Sequence, residues 1–508
     1  MRRHFNISGL MVFALAFSAT AVGEELLLKR QSVPRANSFT FGDIVLSIEN
    51  DTESPSEWTI NASAGSDVRR VHVTKNGTDY IYFPGKVLSV RNWGLAGRDK
   101  WNSMAETVGD CEVKSYAPEE LSKKGEFNVV TEKRNGLEHL LFGNGSMSFA
   151  CIPSLNGILY SFKDEQLGHE FFLNKAIGGK LDLRSYDKVG FIELFDVVGK
   201  TPEAAMSWAQ KDGTIVLTGE SGMKKGSTLV RTMKLDEFSI TLHTALSGGN
   251  SDVTLKHRPM MAKPQNIALF MPVNGRLAPR NVQPNAPYET SDNCYAIVNR
   301  DNAQMLCISY KNSNQLYVWM GGDFYNAEAF GTKVSTTTNP TMTATYFLVH
   351  GMSRVDFIGD KVTLAIPETL RVMENTDCSV DLQVGAGVTL KALELISDVG
   401  GNVRRDALKP PVAGFATTAK VTLPTASLKP GKYQMKLTLK EGATVRLVGV
   451  ADITIVSEES VREQHRKVQE LDKRLQELRR KFAEAGDASL MKEFKRISRE
   501  KNALENSL

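Results

Sequence analysis

Cysteine is too scarce here to hold a fold together. The chain has five in 508 residues, far below the density of a disulfide-built scaffold, and the number is odd. No Cys/His cluster has zinc-ligand spacing. Charge of one sign is also lacking. The formal net charge is only +4, with acidic and basic residues interspersed, and no basic stripe carries interleaved aromatics, which argues against a nucleic-acid partner. Beyond residue 22 no apolar run is long enough to cross a bilayer. The Gly-x-Ser-x-Gly elbow, the P-loop, a dinucleotide fingerprint after a strand and His-Glu-x-x-His are all missing, so nothing implies a metal, a nucleotide or a redox cofactor.

What is present is ordinary globular material, 41% hydrophobic and 24% charged. At roughly 100–200 residues per domain the length implies three or four domains. The first residues have an order of their own. Met1-Arg2-Arg3-His4 is basic, Ile7 to Val22 is apolar, and small residues stand at Ala19, Ala21 and Gly23. That order predicts a secretory signal over 1–23, cleaved after Ala21 or Gly23, and a secreted or periplasmic product. No cysteine follows the apolar run, which argues against a lipid anchor.

Period-two alternation dominates the body, so the expected class is mainly β. Residues 24–125 are β-rich, with strand patterns in Ile44-Val45-Leu46-Ser47-Ile48 and Tyr80-Ile81-Tyr82-Phe83 and turn signals at Asn76-Gly77 and Pro84-Gly85. They form either a separate domain or extra strands of the next one. Trp93 and Trp101, among glycines and charges, suit either stacking on sugars or a core. The polar stretch from Pro118 to Lys124 reads as a linker.

From 126 to 357 the alternation in Thr228–Leu235 and Phe238–Thr244 predicts a large antiparallel sandwich. Within it, Cys294 to Cys307 reads as a hairpin turning at Asn299–Asn302, which sets the two cysteines face to face. They are then either a disulfide formed in an oxidising compartment or two reduced core thiols. From 358 to 456 short strands alternate with turns, and Pro430-Gly431 leads into a strand with Tyr433, Met435 and Leu437 on one face. This spacing fits an immunoglobulin-like β-sandwich.

Residues 457–508 change texture again. Val461, Val468, Leu471, Leu475, Leu478 and Phe482 form an a/d seam among Arg, Lys and Glu. Gly486 closes that helix, and Leu490, Phe494, Ile497 and Leu504 mark a second one. The pair folds as a helical hairpin or pairs as a coiled coil with another chain or with the body of this one.

The stretch Met147 to Asp164, with Gly168-His169-Glu170 after it, resembles the opening hairpin of the galactose mutarotase-like β-supersandwich. Gly190-Phe191-Ile192-Glu193-Leu194-Phe195, Asn326-Ala327-Glu328 and Thr345 to Gly351 are similar to later elements of that family. The resemblance covers about residues 126–357. It implies a concave sheet face that holds a carbohydrate, and a histidine and a glutamate serving as acid and base on a sugar. On this sequence those roles fall to His257 and Glu328, with Arg258, Glu193, Asp323 and Tyr325 as candidate substrate contacts.

The expected function is an exported protein that recognises a poly- or oligosaccharide. The alternatives are a sugar epimerase, lyase or hydrolase using His257 and Glu328, and a non-catalytic envelope scaffold with the helical tail as its partner surface. The first two readings need a polar concave cleft with exposed aromatics, and the scaffold predicts His257 and Glu328 far apart or buried against neutral partners. Convergence of two titratable groups in the cleft separates enzyme from binder.

Overall fold

The computed structural model describes residues 25–28, 37–50, 57–92, 111–122, 125–134, 136–155, 157–172, 176–177, 180–181, 191–195, 206–220, 226–250, 252–262, 267–282, 287–320, 324–485 and 488–505. The basic and apolar leader, Trp93, Trp101 and Asp323 lie outside them. The described chain is mainly β, in many sheets, with a pair of helices at its C-terminal end. Among the described residues no helix is long and apolar enough to cross a membrane.

Two large antiparallel sheets form the centre. The first is ten-stranded and runs Tyr288–Thr290, Gln315–Met320, Phe324–Phe330, Leu255–Ala262, Phe191–Phe195, Ile158–Asp164, Met147–Ile152, Leu137–Gly143, Asn128–Arg134, with His169–Glu170 paired to Ile158–Asp164. The second is nine-stranded and runs Ser207–Lys211, Thr214–Glu220, Ser227–Asp236, Ser239–Gly248, Thr341–His350, Gln304–Lys311, Cys294–Asn299, Ile267–Val273, Arg276–Arg280. Alternation explains how they pack. In Ser227–Asp236 every second side chain, including Leu229, Met233 and Leu235, is buried, because successive side chains leave opposite faces of a strand. Those residues meet Phe149, Phe162, Leu255, Ala327 and Ala329 of the ten-stranded sheet in one shared core.

The N-terminal strands make two four-stranded sheets around Ile44, Leu46, Ile60, Ile81, Phe83 and Leu88. Tyr82, between Ile81 and Phe83, points the other way and joins the central core with Val87. One hairpin therefore serves two cores. The polar 118–124 stretch begins with a short helix, Pro118–Leu121, where proline opens the first turn and the Ala117 N–H donates to Glu120 Oε2 at 2.8 Å.

After His350 a second sandwich stacks the four strands Phe357–Ile358, Val362–Ala365, Cys378–Ala386 and Ala416–Leu423 on the five strands Arg371–Met373, Thr444–Val456, Gly431–Glu441, Leu393–Val399 and Asn402–Leu408. Met435 and Leu437 lie in its core, on the face expected for them. Gly449 is required there, since a Cβ would fall 2.7 Å from the Phe357 ring.

The helices Glu458–Ala485 and Ala488–Glu505 pack on each other, which selects the hairpin from the sequence-based options. Leu475, Leu478 and Ile497 are buried between them, with Leu471, Leu490 and Phe494 alongside. Lys501–Asp472 at 2.7 Å and Arg474–Glu493 at 2.5 Å cross the seam. Being half exposed, these pairs add little beside the apolar contact. Ile497→Ala is expected to remove roughly 2–4 kcal/mol from this small core. Limited proteolysis should then cut the Ala488–Glu505 helix while the β body melts at an unchanged temperature.

Candidate functional site

Parity along neighbouring strands decides what each face of the ten-stranded sheet presents. In Phe324–Phe330, Tyr325, Ala327 and Ala329 point into the core between the sheets. Asn326, Glu328 and Phe330 therefore share the outer face. Register carries this face across the sheet. Lys256 pairs with Phe330 and Met260 with Asn326, which brings Arg258 level with Glu328. On the other side Tyr317 pairs with Glu328, Trp319 with Asn326 and Gln315 with Phe330. Glu289 pairs with Tyr317 at the sheet edge. The result is a cross-strand row, Arg258–Glu328–Tyr317–Glu289, flanked by Lys256, Phe330 and Gln315 on one side and Met260 and Asn326 on the other.

Two side chains of this patch are locked together. Asn326 Nδ2 donates to Glu328 Oε1 at 2.9 Å. A carboxylate only accepts, so the amide nitrogen must be the atom that faces it, and the orientation of Oδ1 follows. Asn326 is 1% exposed, yet among the described residues its Oδ1 has no hydrogen-bond partner. A buried acceptor without a donor costs about 1–3 kcal/mol. Nearby, the Lys256 ammonium lies over the Phe330 ring at 4.8 Å, and Gln315 Nε2 donates to Glu289 Oε2 at 3.1 Å.

The structure does not bring His257 to Glu328. His257 pairs with Ala329, one residue on from Glu328, so it points to the opposite face. It is 0% exposed, and its ring meets Tyr310 of the nine-stranded sheet edge-on at 6.1 Å. The sheet stands between the two groups, so the expected acid–base pair is corrected to a core histidine and a face carboxylate. Tyr325 is likewise a core residue and not a cleft contact. Arg258 stays on the face with Glu328. Glu193 holds the register position beside His257 in Phe191–Phe195.

Two further polar groups were not singled out as site residues. Glu170 accepts from Ser161 Oγ at 2.5 Å and from the Phe162 and Phe172 amides at 2.8 and 3.0 Å. Burial nevertheless leaves its pKa raised. It staples backbone and reaches for no ligand. His139 Nδ1 and Tyr160 Oη are 2.8 Å apart, beside an outer-face apolar cluster of Ala150, Ile152 and Ile158, and burial lowers the histidine pKa. Among the described residues no group of three His, Cys, Asp or Glu side chains is arranged to hold a metal ion.

The cysteine hairpin is also corrected. Asn299 pairs with Gln304, so the loop is Arg300–Ala303, one residue later than expected at each end. Asn299 Oδ1 accepts from the Asp301 amide, Asn302 Oδ1 accepts from the Gln304 amide, and Ala303 takes a left-handed φ of 57°. Cys294 therefore faces Ser309 and Cys307 faces Ala296, and both thiols are free. Burial pushes the Cys294 thiol up to about 12 and the Cys307 thiol well above its ordinary value.

No family model matches the chain, and no curated protein matches it. Solved structures align with parts of it at low TM-scores. A galactose mutarotase-like protein from Clostridium acetobutylicum is 9% identical, covers 44% of this chain and 98% of its own, and has a TM-score of 0.35. A 4-alpha-glucanotransferase from Thermococcus litoralis is 8% identical over 44% of this chain and 40% of its own, with a TM-score of 0.30. A heparan sulfate lyase from Pedobacter heparinus is 11% identical over 57% of this chain and 42% of its own, with a TM-score of 0.26.

The geometry assigns His257 to stability. His257→Ala is expected to lower stability by roughly 2–4 kcal/mol, read as a loss of melting temperature, and to leave any ligand of the outer face bound as before. The native Cys307 thiol should resist alkylation at mildly alkaline pH. Denaturation without reductant should expose Cys294 and Cys307 together to the reagent, as mass spectrometry of the peptides would show.

Proposed function

We propose that this is an exported carbohydrate-recognising protein whose site is the outer-face patch around Asn326 and Glu328. One observation carries the reading: Glu328, a partly exposed carboxylate held by Asn326 Nδ2 at 2.9 Å, stands in a cross-strand row between Arg258 and Tyr317. The two oxygens of that carboxylate accept, and vicinal sugar hydroxyls are donors spaced to meet them. Tyr317, half-buried, offers an apolar ring with a polar tip beside them. Arg258 supplies donors for a ring oxygen or a carboxylate. The reading is binding, because His257 faces away from Glu328 and the outer-face His139 is engaged with Tyr160. Export rests on the basic, apolar and small order of residues 1–23.

Hydrogen bonds to a charged group contribute about 1.5–3 kcal/mol each, roughly tenfold to a hundredfold in affinity. On a glycan array, Glu328→Gln and Asn326→Ala should each weaken binding by about that factor, and His257→Ala should not. Methylation of the vicinal hydroxyls should abolish binding. Wild-type affinity in both face variants would move the site elsewhere. An intact protein that bound no glycan would instead favour the scaffold reading, which draws on the extensive burial between the central sheets and their flanking modules.

A further inference from the structure

Far from the outer face, three parts of the fold converge on one histidine. His350 ends the Thr341–His350 strand, where the central sheets hand over to the C-terminal sandwich. Its Nε2 lies 2.7 Å from Asp164 Oδ2 and its Nδ1 lies 2.7 Å from the Gly414 carbonyl oxygen. Both partners accept and neither can donate while Asp164 is ionised. Asp164 is committed to that state by further donors: Gln304 Nε2 at 2.5 Å and the Gln166 amide at 2.9 Å. Both side chains of the pair are 0% exposed.

The ring is also caged. Tyr82 from the N-terminal sheets, Phe415 from the sandwich and Phe238 from the central body place their centroids 4.6, 5.3 and 5.9 Å from that of His350. Aromatic faces around a cation are an attractive arrangement. Tyr82 is tied in again, its hydroxyl donating to Gln166 Oε1 at 3.1 Å. Backbone bonds close the same junction: Gly85 N–H to Ala416 O at 2.9 Å and His350 N–H to Gly414 O at 2.8 Å.

From this geometry we infer that His350 is a buried imidazolium, balanced by Asp164, which locks the N-terminal sheets, the central body and the C-terminal sandwich together and releases them in acid. The inference is independent of the carbohydrate reading. The titratable groups that face the pair are Tyr82 from the N-terminal sheets, with Tyr80 and Asp79 behind it, and His169 from the central body. The sandwich contributes the Gly414 carbonyl and the Phe415 ring. Burial would raise the Asp164 pKa, but the His350 charge and the hydrogen bonds from His350, Gln304 and Gln166 outweigh it and bring it below the ordinary value of 3.8. A carboxylate whose folded pKa is depressed contributes stability above its ordinary value and loses it as pH falls through the folded one. The lock is therefore intact at neutral pH and opens below the usual carboxylate range.

The test uses the full chain with ¹⁵N-labelled histidine. His350 is assigned as the signal, among eight histidines, that His350→Gln removes. Both of its ring nitrogens should show protonated shifts at neutral pH. A lone-pair nitrogen there would overturn the inference. Hydrogen exchange, corrected for intrinsic rates, supplies the second readout. Asp164→Asn should speed exchange in the peptides holding Gly85 and Gly414 by at least about a hundredfold at neutral pH. Wild type should reach the same state only in acid. Equal protection and an unchanged acid transition in Asp164→Asn would also overturn it.

Discussion

The contact between His350 and Asp164 joins residues 186 positions apart, and the arrangement of the modules depends on it. A buried charge is tolerated only when paired and hydrogen-bonded. Each polar atom of this pair finds its partner on a different element: a strand of the ten-stranded sheet, a strand of the nine-stranded sheet, a turn and a loop of the C-terminal sandwich. Removing any one element would strand a charge in the core. The central cluster that surrounds the pair includes Tyr82 and Val87 from the N-terminal strands and Ala413 and Phe415 from the sandwich, so apolar burial and the ionic contact act at the same joint.

The outer face is subject to the complementary constraint. A sheet separates consecutive side chains of a strand completely, so two residues cooperate on a ligand only if strand parity and register both place them on one side. Arg258 and Glu328 pass this condition, and His257 fails it by one residue. That single step separates the expected acid–base pair. The histidine contributes to core packing, and the carboxylate remains with an amide, an arginine and a tyrosine as neighbours.

Much of the architecture was legible in the residues. The alternation in Thr228–Leu235 predicted a strand with one buried face, and Leu229, Met233 and Leu235 are buried. Met435 and Leu437 followed from a Pro-Gly turn, Leu475 and Leu478 from a heptad seam, and Ile497 from a second amphipathic helix. These are local periodicities, set by 2.0 or 3.6 residues per repeat, and chain neighbours suffice to read them. The cysteine hairpin shows the limit. Its existence was readable, but two asparagine side chains and a left-handed alanine moved the loop by one residue and so changed the cysteines' partners.

The site divides along the same line. Asn326 and Glu328 stand two apart on one strand, so their shared face was implicit in the sequence. Their relation to His257, Arg258 and Tyr317 depended on cross-strand register, which no single segment encodes. Asp164, His350 and Tyr82 all stand in strands that the sequence marks, yet nothing local ties them together. By itself the sequence determined the β class, the strand faces and the helical seam, because these rest on short-range alternation of apolar and polar residues. Only the tertiary structure decided which histidine is caged between modules, which one packs into the core and which carboxylate is left on the face, because those outcomes depend on how distant strands align and what surrounds each group once water is excluded.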